Sequence, residues 1–154
     1  MRGAIDNSYK DLMDHNVAGK AIRKLRRVLI YGTCVRHEHP KIYESISQNR
    51  VPLAVCLERE HFNIVALKVA SMLARVKLEE LVVLTVDGSP HCVQLHMAIE
   101  EALKVTKSNI PVKHLVIENG EVIEIPPHCV KIARYLSKIK KLQEKLKNVE
   151  RREL

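Results

Sequence analysis

Three of the four cysteines stand where a predicted strand gives way to the next helix: Cys34 in YGTC, Cys56 in LAVC and Cys92 in DGSPHC. If those strands are parallel, one rim of the sheet gathers three thiols from distant parts of the chain. Six of the eight histidines, His37, His39, His61, His91, His96 and His128, sit beside cysteines or these strand ends. Thiolates with an occasional imidazole hold iron–sulfur clusters, and three thiolates with one imidazole make a zinc site. Both need deprotonated ligands. Cys92 falls in a first helical turn, where free N–H groups and the helix dipole favour a thiolate, and His91 precedes it. There is no C-x-x-C; 21, 35 and 36 residues separate successive cysteines. The signal is therefore topological, and it competes with a plainer reading in which Cys34 and Cys56 are small hydrophobes of buried strands.

The elements that must position these residues follow from periodicity. Residues 8–26 place Tyr9, Leu12, Met13, Val17, Ile22 and Leu25 at near-helical spacing, broken at Gly19, and predict a leading helix or broken helix. RRVLIYG is a first strand, and Pro40 opens a helix over KIYESISQN. VPLAVCLE is a second strand. REHFNIVALKVASMLARV is apolar on more than one face, which predicts a deeply buried helix. LEELVVLTVDGSP ends a third strand in a glycine turn, with Ser89 as N-cap and Pro90 at the first position of the next helix. VKHLVIENGEVIEI reads as two strands around Asn119-Gly120, a strong hairpin signal.

Short apolar strands alternating with helices predict an α/β three-layer sandwich, Rossmann-like or flavodoxin-like. Its sheet is mostly parallel, closed by a C-terminal hairpin and a long C-terminal helix. Ligands in such sheets bind outside the carboxyl ends of the strands, where strand order reverses. With the order 2-1-3, Thr33, Cys34, Gly88, Ser89 and Cys92 surround that crevice, Cys56 lies beside it, and Arg36 is a charge partner for a phosphate. A nucleotide is thus a competing ligand, yet neither G-x-G-x-x-G nor G-x-x-x-x-G-K-[ST] occurs. Cys129, in PPHC, is the remaining candidate metal ligand. A true hairpin at Asn119-Gly120 sends it to the opposite rim, so it ranks below the other three.

At 154 residues the chain is one domain's worth and needs no disulfides to fold. We expect a 27–126 core flanked by a basic helical arm at 1–26 and a basic amphipathic helix at 127–154. No run of 18 apolar residues occurs, and acids interrupt the start of the chain, so a soluble cytoplasmic protein without membrane contact is expected. The Lys, Arg, Glu, Val and Ile bias is that of thermophile proteins. The net charge of +8 divides as +4 over 1–27, −2 over 28–126 and +6 over 127–154. A basic groove on the body is thereby disfavoured, while basic arms suit an RNA or protein adaptor. Four tyrosines and one phenylalanine leave little for base stacking, so nucleic acid is the weaker partner. In the last helix, from about His128, Ile132, Leu136, Ile139, Leu142, Leu146 and Val149 form a narrow apolar stripe. Its first half is expected to cover the sheet and its end to pair, in a homo-oligomer or with a redox partner protein. His15 and His114 read as surface positions.

The stretch CLEREHFNIVALKVASMLARVKLEELVVLTVDGSPHC resembles small iron–sulfur, 4Fe-4S ferredoxin-like proteins of anaerobic thermophiles, over residues of about 50–125. The resemblance implies a cluster held by Cys56 and Cys92 with help from elsewhere, and electron transfer or sulfur handling. The chain lacks the closely spaced cysteine runs of ordinary ferredoxins, so their ligand assignment does not carry over. The expected function is an iron–sulfur cluster or metal, zinc being the alternative, at Cys34, Cys56 and Cys92 within a redox complex.

Overall fold

The computed structural model describes residues 10–152, with side chains as far as 148. Residues 1–9 of the expected arm, Tyr9 among them, lie outside the described residues. The elements are α1 (Lys20–Leu25), β1 (Arg27–Gly32), α2 (Val35–Glu38), α3 (Pro40–Ser47), β2 (Val51–Val55), α4 (Phe62–Arg75), β3 (Glu80–Val86), α5 (Pro90–Thr106), β4 (Val112–Glu118), β5 (Glu121–Ile125), α6 (Pro127–Ile132) and α7 (Leu136–Arg152).

The five strands lie in the order β2-β1-β3-β4-β5, parallel except for β5. The order reverses between β1 and β3, which run side by side although β2 comes between them in the chain. Asn119 and Gly120 turn the β4–β5 hairpin with φ of 50° and 77°, the doubly positive pair that suits the twist of a two-residue turn. Alternation along the parallel strands fills both faces, while β5 is an exposed edge. Val28, Ile30, Leu81 and Val83 face α4 and α5 in the larger core, while Leu29, Tyr31, Val82 and Leu84 face the smaller core under α2 and α3. Helices on both faces make the expected three layers.

Three expectations change. The segment before β1 is helical only over α1, because the Asn16 side chain accepts from the Ala18 N–H at 3.0 Å and closes a turn that competes with helix. Nor is the described part of that segment a free arm: the Leu12 N–H bonds the Ala54 carbonyl at 2.8 Å, and Leu12, Val17 and Ile22 are buried. Helix α4 is one-faced. Val65, Val69 and Met72 are buried, but Ile64 and Leu67 are exposed, since the helix covers one side of the sheet with nothing outside it. The last helix is two helices, broken over residues 133–135, and only α6 covers the body, through buried Val130. Every described side chain of α7 is exposed. Among the described residues, no helix is long and apolar enough to cross a membrane.

Candidate functional site

Parallel pairing sets the strand ends level. Gly32 stands opposite Val55, and Tyr31 opposite Leu84. The Thr33 N–H continues the ladder to the Val55 carbonyl at 3.2 Å, so the loops after β1 and β2 leave the sheet side by side. After β3, Gly88 at φ 91° turns the chain into α5, with Pro90 at its start. The result is a cavity of about 150 Å³ at the carboxyl rim, bordered by Thr33, Cys34, Cys56, Ser89, His91 and Cys92. All four cysteines of the chain are free thiols.

Gly32 is the floor that lets two of these thiols converge. A Cβ there would lie 3.8 Å from Cys92 Sγ and 4.0 Å from Cys34 Sγ, so both sulfurs reach the same point above the end of β1. Burial pushes the Cys34 thiol pKa up, and the neighbouring Cys92, Glu38 and Cys56, as anions, raise it further. Cys34 thus holds its proton until a positive charge enters. The Thr33 hydroxyl oxygen is buried without a hydrogen-bond partner. Ser89 occupies the N-cap position of α5 but makes no side-chain capping bond, and N–H groups of a first helical turn have no acceptor within their own helix. The rim therefore offers three soft donors, one imidazole, an unused hydroxyl and the positive end of a helix. As the side chains stand, no three His, Cys, Asp or Glu among the described residues are arranged to hold a metal ion.

Other expected site residues stand elsewhere. Arg36, on α2, lies with its guanidinium 5.7 Å from the centre of the Tyr43 ring, on the side of the smaller core. Gly88 shapes the turn but does not border the cavity. Cys129 is exposed on α6 and borders a different cavity, with Asp87, Val93 and His96; it is not left at the opposite rim, because α6 brings it back toward the end of β3 after β5 has returned the chain to where Ile125 faces His114. Of the six clustered histidines, only His91 borders the crevice. His61 caps α4, its Nδ1 accepting from the Asn63 N–H at 3.3 Å. His128 is exposed on α6 and borders a further cavity together with Glu100 and Lys131.

His96 and His114 overturn a simpler expectation. His114, read as a surface residue, is 1 % exposed, and His96, counted among the histidines beside the cysteines, is 5 % exposed and turned to the sheet. They join a buried chain: Thr85 Oγ1 to His96 Nε2 at 2.8 Å, His96 Nδ1 to His114 Nδ1 at 2.9 Å, and His114 Nε2 to Glu100 Oε1 at 2.7 Å. One proton arrangement that satisfies every atom starts from the carboxylate. The carboxylate only accepts, so His114 Nε2–H donates to it; His96 Nδ1–H then donates to His114, and the Thr85 hydroxyl donates to His96. Burial first and the adjacent His114 second lower the His96 pKa to about 3. The sequence carried a signal for this. His114 alternates with Val112 and Val116 on the inward face of β4, and Thr85 follows Leu81 and Val83 on the inward face of β3.

No curated protein and no solved structure matches the chain. A family model does, over residues 21–151, which span every strand, the thiol crevice and the buried histidine chain. With helices on both faces of a mostly parallel sheet and a crevice at its point of strand reversal, the chain belongs to the Rossmann-like domain family.

Proposed function

We propose that the crevice binds a thiolate-ligated metal centre, an iron–sulfur cluster, and that the protein exchanges single electrons through it with a redox partner protein in the cytoplasm. The observation that supports this reading is the meeting of Cys34, Cys56 and Cys92 around one small cavity. Cys34, Cys56 and Cys92 are the ligands, and His91 completes the set after side-chain rotation. The Thr33 hydroxyl and the first-turn N–H groups of α5 supply hydrogen bonds to cluster or ligand sulfur, which is how a protein raises a cluster's potential. Cys129 is outside the set. Zinc held for structure alone has less to do here, because the two cores already bury apolar residues from all of β1 to β4. Cavity size separates this reading from a nucleotide. Pockets for drug-sized ligands run to about 300–1,000 Å³, and this one has about 150 Å³.

A second reading is a compact anion such as phosphate. The buried, unpartnered Thr33 hydroxyl and the start of α5 favour it. Anaerobic purification, followed by iron, zinc and labile-sulfide analysis with an absorption spectrum of the same sample, decides between them. A brown protein containing iron and sulfide, bleached by Cys56→Ser and unchanged by Cys129→Ser, is the expected result. Zinc alone makes the site structural. A folded protein that stays colourless and metal-free after anaerobic reconstitution with iron and sulfide, but is stabilised by phosphate, overturns the cluster in favour of the anion.

A further inference from the structure

Helix α7 is 17 residues long, or about 26 Å at 1.5 Å per residue, and lies clear of the body along its described length. An isolated helix of that length is marginal in water, and most helices gain their stability by packing an apolar face. This one has such a face and leaves it bare. Leu136 is 81 % exposed, Leu146 65 %, Leu142 46 % and Ile139 41 %. They step by three and four residues, the narrow seam of a helix that pairs with another helix rather than the wider stripe of one lying on a sheet.

The charges beside the seam restrict the occupant. Residues 136–148 carry five lysines and one glutamate. At 3.6 residues per turn, Lys138 and Lys145 flank one side of the seam and Lys140 and Lys147 the other, while Glu144 pairs with Lys140 at 3.7 Å away from it. Lys138 is held near the start of the seam, its ammonium 4.5 Å from the centre of the Tyr135 ring. A second copy would set lysine rows against lysine rows, which opposes self-pairing. An anionic membrane would meet a seam of four aliphatic side chains without Trp or Phe, a small apolar area for insertion. A helix with a leucine seam and glutamates on both flanks meets the apolar row and both lysine rows at once.

We infer that α7 is a docking helix for an acidic amphipathic helix of another protein, which covers Leu136, Ile139, Leu142 and Leu146 and places carboxylates against the flanking lysines. This inference does not depend on what the crevice holds. The test uses the full chain and a fluorescent three-heptad peptide with leucine at a and d and glutamate at e and g, beside the same peptide with lysine at e and g. Anisotropy should show the acidic peptide binding at least about tenfold more tightly than the basic one, and weakening at least about tenfold from 50 to 500 mM salt. Leu142→Glu with Leu146→Glu lies wholly on the exposed helix and should abolish binding while leaving the melting temperature of the body unchanged. Equal binding of the two peptides, no binding, or binding indifferent to the double substitution overturns the inference. So does a dimer by light scattering that the double substitution dissolves, since the occupant is then a second copy. Capture by phosphatidylglycerol vesicles that the acidic peptide fails to displace does the same, in favour of a lipid surface.

Discussion

Lowering the pH from 7.5 to 5.0 should unfold this protein more easily, by an amount that His96 dominates. In the folded chain His96 stays neutral down to about pH 3, whereas an unfolded histidine titrates near 6.5. Below 6.5 the unfolded state therefore takes up a proton that the folded state refuses. Stability is fully present above that pH and is lost as the pH falls toward the folded value. At pH 5.0 the solution lies 1.5 units below the unfolded pKa, and at about 1.36 kcal/mol per unit the loss is about 2 kcal/mol. With a urea slope of about 2 kcal/mol per molar, the unfolding midpoint drops by about 1 M. The control is His96→Gln, which cannot take a proton. It is itself less stable at pH 7.5, by about 1–3 kcal/mol, because the Thr85 hydroxyl and His114 Nδ1 lose a well-placed partner. Its further loss on going to pH 5.0 should be smaller than that of the parent by about 2 kcal/mol. Groups away from the pair, including His15, whose pKa burial and the nearby Lys10 and Lys68 also lower, contribute to both chains and cancel, and repeating the comparison in a His114→Gln background removes the share of the contacting histidine. Equal pH dependence of the two midpoints would refute a neutral, buried His96.

Gly32→Ala tests the floor of the crevice. The added methyl meets Cys92 Sγ, Val35 Cγ2 and Cys34 Sγ at 3.8–4.0 Å, ordinary contact, so the melting temperature should hardly move, while iron or zinc recovered per chain should fall because the methyl occupies the point both sulfurs reach. Undiminished metal would show that the sulfurs do not converge there. Glu80 accepts from Arg50 Nε at 2.6 Å and from Arg27 at 3.3 Å, and these partners hold its carboxyl below the usual range. Glu80→Gln should cost about 1–3 kcal/mol at neutral pH by urea unfolding, and the difference from the parent should shrink as the pH falls through the carboxylate range, where the parent loses the same pairs. Gly120→Val, at φ 77°, should cost about 1–2 kcal/mol by the same assay, since a β-branched residue is strained in the left-handed region.

What could be read from the chain divides along a physical line. Strand and helix identities, the parallel sheet and the rim that gathers Cys34, Cys56 and Cys92 depend on local periodicity and turn chemistry, and the DGSP and Asn119-Gly120 turns form where their residues require. What escaped depends on contacts between distant segments. Residues 10–17 look like part of a helix until one sees that Lys10 and Leu12 exchange backbone hydrogen bonds with Ala54. Arg36 was expected at the crevice because it follows Cys34, but the short α2 turns it toward Tyr43. A histidine at position 114 reads as a surface residue from the sequence, which holds for most polar residues and fails for one that meets another polar partner from across the fold.

Helix α5 ties the buried polar chain to the thiol crevice. Its first turn carries His91 and Cys92 into the crevice, and its later turns carry His96 and Glu100 into the buried chain with β3 and β4. A hydrogen-bonded core of this kind fixes register more sharply than apolar packing, which tolerates sliding, because every misplacement leaves a buried polar atom unpaired. Thr85 and His114 therefore hold α5 at one axial position against the sheet, and with it the height of Cys92 above Gly32. On this argument, damage to the histidine chain should reach the crevice without touching it. His114→Leu should disperse the geometry at Cys92 and slow or weaken metal uptake, in a chain that still folds, whereas Leu67→Ala on the exposed side of the neighbouring α4 should leave uptake unchanged.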